Sequence, residues 1–262
     1  MRMRKRIQSE KSEKKYDLIW GRQPVLEALQ SRLPLEWINL YEDARGTIID
    51  KIQQKAEEKG IPVQKIKRAR LEDEAAGQNH QGIVAYMAPY AYLSVEELLE
   101  SVRREGKYPF LLMLDHLQDP HNLGALIRTA AAAGVHGLIL PRDRACGVTP
   151  AVFKSSAGAL AHVPVARAVN LAGETDFLKK QGLWFMGADM SGEQPFYEAD
   201  FNLPLVLVLG NEGGGLSRLI REKCDFLLHI PMREAISSLN VAVAGGIICY
   251  EVFRQREKCR HL

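Results

Sequence analysis

The sequence predicts an α/β protein of two successive domains, the second built on a parallel sheet. Three observations predict this. Strand-length apolar runs alternate with helix-period segments along most of the 262 residues, the pattern of layered α/β architecture. Beyond residue 108 the runs are near-continuously apolar, as strands are when both faces of their sheet are covered. Between the two stretches lies a polar helix followed by Gly106 and Lys107, and the boundary falls there.

The chain divides into a basic flexible tail over 1–15, a small domain over 16–90, a linker over 91–107 and a larger domain over 108–262. In the small domain, residues 16–20 read as a strand and 23–30 as a helix with Pro24 at its start, where the missing N–H does no harm. A strand over 37–41, an amphipathic helix over 47–59 stopped by Gly60, and strands over 62–66 and 82–87 complete a small α/β sandwich. Ser94 and Glu97 form a capping-box pattern for the helix that runs to Arg104. In the larger domain, strands are predicted over 110–115, 137–140, around Val163, and over 183–188, 205–209 and 226–230. Helices are predicted over 122–133, 150–156, 175–181, 216–223 and 238–255.

Composition narrows the function. At 46% hydrophobic residues the chain can bury a core, and its longest clean apolar run, 203–209, is strand length and contains Pro204, so no membrane span is expected. The basic N-terminus has no apolar stretch behind it, which argues against a secretory signal and for a cytoplasmic protein. The four cysteines lack CxxC spacing and read as reduced thiols. Residues 1–107 hold 20 Lys/Arg and 17 Asp/Glu, while 108–262 hold 15 of each, so the net charge of +3 is N-terminal. It concentrates in 2–15 and in Lys65, Lys67, Arg68 and Arg70. Clustered cations of this kind suit a phosphate backbone, although a solvated face and a flexible tail read equally well from charge alone.

Three segments of the larger domain carry chemistry. In DHLQDPHNLGALIRTAAAAGV (115–135), a strand ends at Asp115 and a helix opens near Asn122. Asn122 alone also reads as an N-cap. Arg128 stands among apolar residues with no acidic residue three or four positions away, so its partner comes from elsewhere. In LVLVLGNEGGGLSRLI (205–220), a strand leads into a glycine-rich turn and a helix. A phosphate loop is one reading, but Glu212 inside the turn repels an anion; a cationic ligand suits it better, and a purely structural turn stays open. In HIPMREAISSLNVAVAGGIICYEVFRQR (229–256), Ser238, which also reads as an N-cap, opens a helix rich in Ala and Gly that another backbone can approach closely. His116 and His121 beside Asp115 and Asp119 lack the spacing of a metal motif or catalytic triad, and no metal is expected.

Together these segments resemble the SpoU (TrmH-like) branch of the SPOUT RNA methyltransferases. Asn122, Gly124, Arg128, Thr129 and Ala130 match the first family motif; Leu209, Gly210, Glu212 and Gly215 the second; and Ile230 to Met232 with Ser238 to Val241 the third. Segments 19–29 and 79–83 are similar to the accessory domain of the bacterial 23S rRNA guanosine-2′-O-methyltransferases. The resemblance covers about residues 16–257. It implies a trefoil-knotted C-terminal domain, an exception to the rule that chains are not knotted, preceded by a ribosomal-protein-like RNA-binding domain. It also implies a homodimer with sites at the subunit interface. Glu234 and Ala242 depart from the residues relatives commonly carry there.

The activity implied is methylation of a ribose 2′-hydroxyl, of a guanosine in 23S ribosomal RNA, by S-adenosyl-L-methionine; transfer RNA as substrate, or a non-catalytic RNA-binding or ribosome assembly role on the same fold, are the alternatives. By the same resemblance, Gly210, Ile230, Met232 and Leu239 bind the cofactor, and Arg128, Asn122, Glu212, Ser238 and Asn240 form the catalytic set. Arg22, Lys65, Lys67, Arg68, Arg70 and His80 contact RNA. Arg128 then has two possible roles: a desolvated general base helped by Ser238 and Asn122, or a phosphate-binding group that lowers the hydroxyl's pKa. The first conflicts with a guanidinium pKa above about 12.

Overall fold

The computed structural model describes residues 16–30, 33–106, 108–211, 213–233 and 238–260, the side chains of 259 and 260 excepted. The basic tail, Glu212 and Glu234 therefore lie outside the described residues. Two compact units divide between Ala91 and Tyr92.

In the first unit, strands β1 (Asp17–Trp20), β2 (Leu35–Tyr41), β3 (Val63–Ile66) and β4 (Ile83–Met87) form one sheet in the order β1-β4-β2-β3. β4 is antiparallel to both its neighbours, and β2 and β3 are parallel. Side chains alternate across a strand. Ile83 and Ala85 accordingly face helices α1 (Arg22–Gln30) and α2 (Thr47–Glu58), through Val25, Leu29, Ile49 and Ile52. Val84 faces α3 (Arg68–Ala75) through Leu71 and Ala75. α3 was not expected. Five of its eight residues are charged and only Leu71 and Ala75 are buried; two ion pairs at i,i+4, the exposed Arg68–Glu72 and the partly buried Arg70–Glu74, support it instead.

The second unit opens with α4 (Val95–Arg104), inside the stretch expected as a linker. Ser94 and Glu97 make both bonds of a capping box, and Val95, Leu98, Leu99 and Val102 sit in this unit's core. The sheet comprises β5 (Phe110–Leu114), β6 (Gly137–Pro141), β7 (Val165–Ala168), β8 (Trp184–Ala188), β9 (Gln194–Pro195), β10 (Leu205–Leu209) and β11 (Phe226–His229). Their order is β7-β6-β5-β10-β8-β11-β9, with every pairing parallel. β5, β6 and β10 are buried along their whole length.

The helices are α5 (Pro120–Ala132), α6 (Pro150–Ser155), α7 (Leu171–Lys180), α8 (Arg218–Lys223) and α9 (Val241–Arg260). α7 begins four residues before its predicted start, because Asn170 caps it by accepting the Ala172 amide at 3.1 Å. The strand expected around Val163 lies at β7 instead, and β9 was not anticipated from two residues. α5 and α9 pack closely: a Cβ on Gly245 would meet Leu126 Cδ2 and Leu209 Cδ1 at 2.6 Å, so glycine lets the two helices and the sheet converge. Among the described residues no helix is long and apolar enough to cross a membrane. Cys146, Cys224 and Cys249 are free, and burial pushes the Cys224 and Cys249 thiols up to about 12.

Candidate functional site

In parallel α/β sheets, ligands bind beyond the carboxyl ends of the strands. There, past β8, β10 and β11, lies a cavity of about 440 Å³, within the range of small-ligand sites. Leu209, Leu228, Ile230, Leu239 and Val241 give it apolar walls; Ala188 to Met190, the turn after β10, and Met232 and Ser238 complete it.

The turn is built around Asn211. Its backbone exchanges two hydrogen bonds with Gly215, both 3.1 Å, and its side-chain oxygen accepts the amides of Gly213 at 3.1 Å and Gly214 at 2.6 Å. A Cβ on Gly210 would fall on the backbone of Gly215 and Leu216, so the residue entering the turn must be glycine. Three amides that a phosphate loop would aim at an anion are thus used within the turn, and the phosphate reading loses its chemistry.

Across the cavity, Asp189 accepts from Arg221 through both oxygens, at 2.6 and 3.1 Å, and from Ser191. Burial raises the Asp189 carboxyl, but the bonds from Arg221 and Ser191 outweigh it and hold it below the usual carboxylate range. Neither Asn211 nor this pair was anticipated. Asn-x-Gly-Gly is a side-chain-capped turn signal that was available; Asp189 and Arg221 are 32 residues apart, and only the sheet order brings them together.

Gly210, Ile230, Met232 and Leu239 all line this cavity, as does Ser238. Neither predicted N-cap caps its helix. α5 starts at Pro120, with Asp119 accepting the His121 amide at 3.0 Å, and Asn240 caps α9 by accepting the Ala242 amide at 2.9 Å. Asn122 instead accepts a 3.0 Å bond from Asn240 Nδ2, tying the first motif to the third beside the cavity. Arg128, almost two turns further along α5, is exposed. The described residues hold no group of three or more His, Cys, Asp or Glu placed to bind a metal.

The first unit has its own cavity, of about 550 Å³, which Arg22, Arg68 and His80 line with Tyr41, Asn79 and Gln81. Arg22 is held by the carbonyls of Gln81 and Arg45, each at 3.1 Å. Lys65, Lys67 and Arg70 are exposed but lie outside the cavity lining.

Comparison with known proteins agrees with this division. Residues 109–250 match the SpoU rRNA Methylase family, and residues 18–93 match the RNA 2′-O ribose methyltransferase substrate-binding family. The chain is 42% identical over 241 residues to YacO of Bacillus subtilis (strain 168), named as a TrmH family tRNA/rRNA methyltransferase; the match covers 92% of this chain and 96% of that protein. The SpoU methyltransferase AviRb from Streptomyces viridochromogenes, solved with the cofactor AdoMet, superposes with a TM-score of 0.71 at 26% identity, covering 92% of this chain and 91% of the other. The A. aeolicus TrmH/SpoU tRNA modifying enzyme superposes with a TM-score of 0.54 at 30% identity, over 63% of this chain and 86% of the other.

Proposed function

The chain belongs to the SpoU rRNA methylase family and is an RNA methyltransferase, and from that premise we propose that it methylates the ribose 2′-hydroxyl of a guanosine in 23S ribosomal RNA. The observation that carries the chemistry is the 440 Å³ cavity with its internally satisfied glycine turn. S-Adenosylmethionine, the family's cofactor, supplies when bound a methyl group on a cationic sulfur. The apolar walls suit its adenine, and Gly210, Ile230, Met232 and Leu239 are the residues that would hold it.

Transfer to a hydroxyl demands alignment and loss of a proton. Asn122 in the first turn of α5 and Asn240 at the N-cap of α9, bonded to each other, fix the relative position of the two helix starts, and Ser238 lines the cavity two residues before that cap. A guanidinium pKa above about 12 favours the second role of Arg128, which is exposed on the single chain: binding an RNA phosphate and stabilising negative charge on the ribose oxygen. Glu212 belongs to the same proposed set by its motif. The first unit would supply affinity through Arg22, Lys65, Lys67, Arg68, Arg70 and His80. Exposed Val243, Tyr250 and Phe253 share one face of α9, which supports the homodimer, and the insertion of β10 between β5 and β8 supports a knotted path. Its proposed compartment is the cytoplasm.

The test is transfer of labelled methyl from S-adenosylmethionine to unmodified 23S rRNA, with the product mapped by resistance to alkaline cleavage. A single resistant guanosine is expected. Incorporation into transfer RNA alone would move the substrate, and incorporation into neither would favour a non-catalytic RNA-binding role.

A further inference from the structure

On the reading proposed above the first unit binds RNA, and its 550 Å³ cavity is built for more than attraction to a charged backbone. Two guanidiniums and no carboxylate line it: those of Arg22 and Arg68, which open α1 and α3. Arg22 is fixed in place. Its Nε and Nη1 donate to the carbonyls of Gln81 and Arg45, each at 3.1 Å, and its Nη2 has no partner among the described residues. An arginine held this way has lost its rotamer freedom before any ligand arrives. Arg68 spends only its Nε, on the exposed Glu72.

With these cations the cavity combines a hydrogen-bonding loop over 79–82. His80 Nδ1 accepts the Gly82 amide at 3.1 Å, so the neutral ring carries its hydrogen on Nε2 and offers a donor there. Gln81 sits at φ 48°, a left-handed conformation that strains a side-chain-bearing residue. It also holds Arg22 twice, accepting the Arg22 amide through its side-chain oxygen at 3.2 Å as well as Nε through its carbonyl. Loop and cation therefore fix each other. Bonds of 2.9 Å from the Tyr41 amide to the Gly82 carbonyl and from the Ile83 amide to the His80 carbonyl pin the loop to the sheet. The Asn79 side chain bonds to no other described residue, and the Tyr41 hydroxyl donates to Asp43 at 3.0 Å, which leaves its ring as an aromatic wall.

Preformed cations, directional polar groups and an aromatic wall together match a nucleotide, an anionic phosphate joined to a flat base with a polar edge. Bases are open to such contacts in single-stranded loops, bulges and ends, whereas a duplex backbone asks only for exposed charge. We propose that this cavity seats one unstacked nucleotide of the RNA, with its phosphate on Arg22 and Arg68, its base against Tyr41, and the edge of that base bonded to Asn79 and His80. This nucleotide is not the one methylated, whose ribose belongs with the cofactor cavity of the second unit. The first unit thereby reads a base, while Lys65 and Lys67, outside the lining, contribute charge alone.

The experiment titrates the full-length ¹⁵N-labelled chain with the four ribonucleoside 5′-monophosphates, with inorganic phosphate and with unphosphorylated nucleosides, following its resonances by NMR. At least one monophosphate should shift the signals of Arg22, His80 and Gln81 and bind about tenfold or more tightly than inorganic phosphate, the contribution of one base stacked on an aromatic ring. Nucleosides should bind more weakly than their monophosphates. Asn79→Ala and His80→Ala should each weaken nucleotide binding about two- to tenfold, as loss of one hydrogen bond does. Asn79→Ala removes no bond within the protein, so it should melt as wild type, and its lost affinity could not be put down to misfolding. The same variant should weaken binding of 23S rRNA at an unchanged salt slope, because no phosphate contact is lost, whereas Arg22→Gln should flatten the slope by about 0.7. Lys51→Gln, exposed on α2 and outside the lining, should bind as wild type. Equal affinity for inorganic phosphate and every monophosphate, shifts confined to the second unit, or rRNA affinity untouched by Asn79→Ala overturns the proposal and leaves the methyltransferase reading standing. Nucleotide binding here with no methyl transfer to 23S rRNA would instead keep the pocket and remove that substrate.

Discussion

The cavity of the second unit has apolar walls, a turn whose amides bond to itself, and polar pairs that join distant segments, whereas the cavity of the first unit is lined by Arg22 and Arg68, which open α1 and α3, and by His80 in a loop. In the first case shape is set by close backbone approach and long-range bonds, so one altered atom changes the whole site. In the second, charge is spread over groups that act nearly independently, and each should matter little alone. Single substitutions should therefore have large effects in the second unit and small, additive ones in the first.

The largest effect should come from Arg128→Ala, which on the proposed reading removes charge stabilisation at the ribose. Turnover should fall about 10²–10³-fold with cofactor affinity unchanged; near-normal turnover in Arg128→Ala and Arg128→Lys across pH would take the residue out of the mechanism. Gly210→Ala comes next. Its new Cβ would meet backbone rather than a side chain that can move, so calorimetry should show cofactor binding weaker by about 2–3 kcal/mol, while Arg68→Ala leaves that affinity alone. Equal effects on cofactor binding would erase the contrast between the cavities.

Asn240→Ala removes the cap of α9 and the bond to Asn122. Thermal unfolding should show a loss of about 1–2 kcal/mol, and turnover should fall with it; full turnover would mean that the link between the first and third motifs does not position substrate. Asp189→Asn tests the ion pair with Arg221. Because the folded carboxyl is held below its usual range, its contribution is present above the unfolded pKa and lost as pH falls through the folded one. The variant should melt lower than wild type near neutral pH, by on the order of 1 kcal/mol, and the gap should close in acid. A gap that persists there would assign the effect to packing.

How legible each part was follows from the range of the interactions. The parallel strands could be read because apolar runs are local. The α3 helix could not, since only two of its residues are buried and i,i+4 ion pairs carry the rest. Gly210, Ile230, Met232 and Leu239 were named from motifs and line one cavity. The bond between Asn122 and Asn240 spans 118 positions, and the Asp189–Arg221 pair depends on β8 lying between β10 and β11; no local pattern carries either.

The smallest effects should come from the cations of the first unit, and these can be ranked. Arg68 pairs with Glu72 where both side chains are more than half exposed, at 72% and 53%, a pair worth only about 0.3–0.5 kcal/mol; a phosphate can take Arg68 at little expense. Arg70 differs. Its partner Glu74 is 19% exposed and also accepts a 2.6 Å bond from the buried Asn39, so Arg70 offsets a carboxylate that water reaches poorly. Arg68→Gln should thus leave the melting temperature unchanged and flatten the salt dependence of RNA binding by about 0.7 in slope, one phosphate contact on a single strand. Arg70→Gln should lower the melting temperature as well. Lys65→Gln and Lys67→Gln, exposed and clear of the cavity lining, should resemble Arg68→Gln or do less. If all four variants leave the salt slope unchanged, the basic cluster is a solvated face, and the first unit must recognise RNA through Tyr41, Asn79 and the other uncharged residues of its cavity.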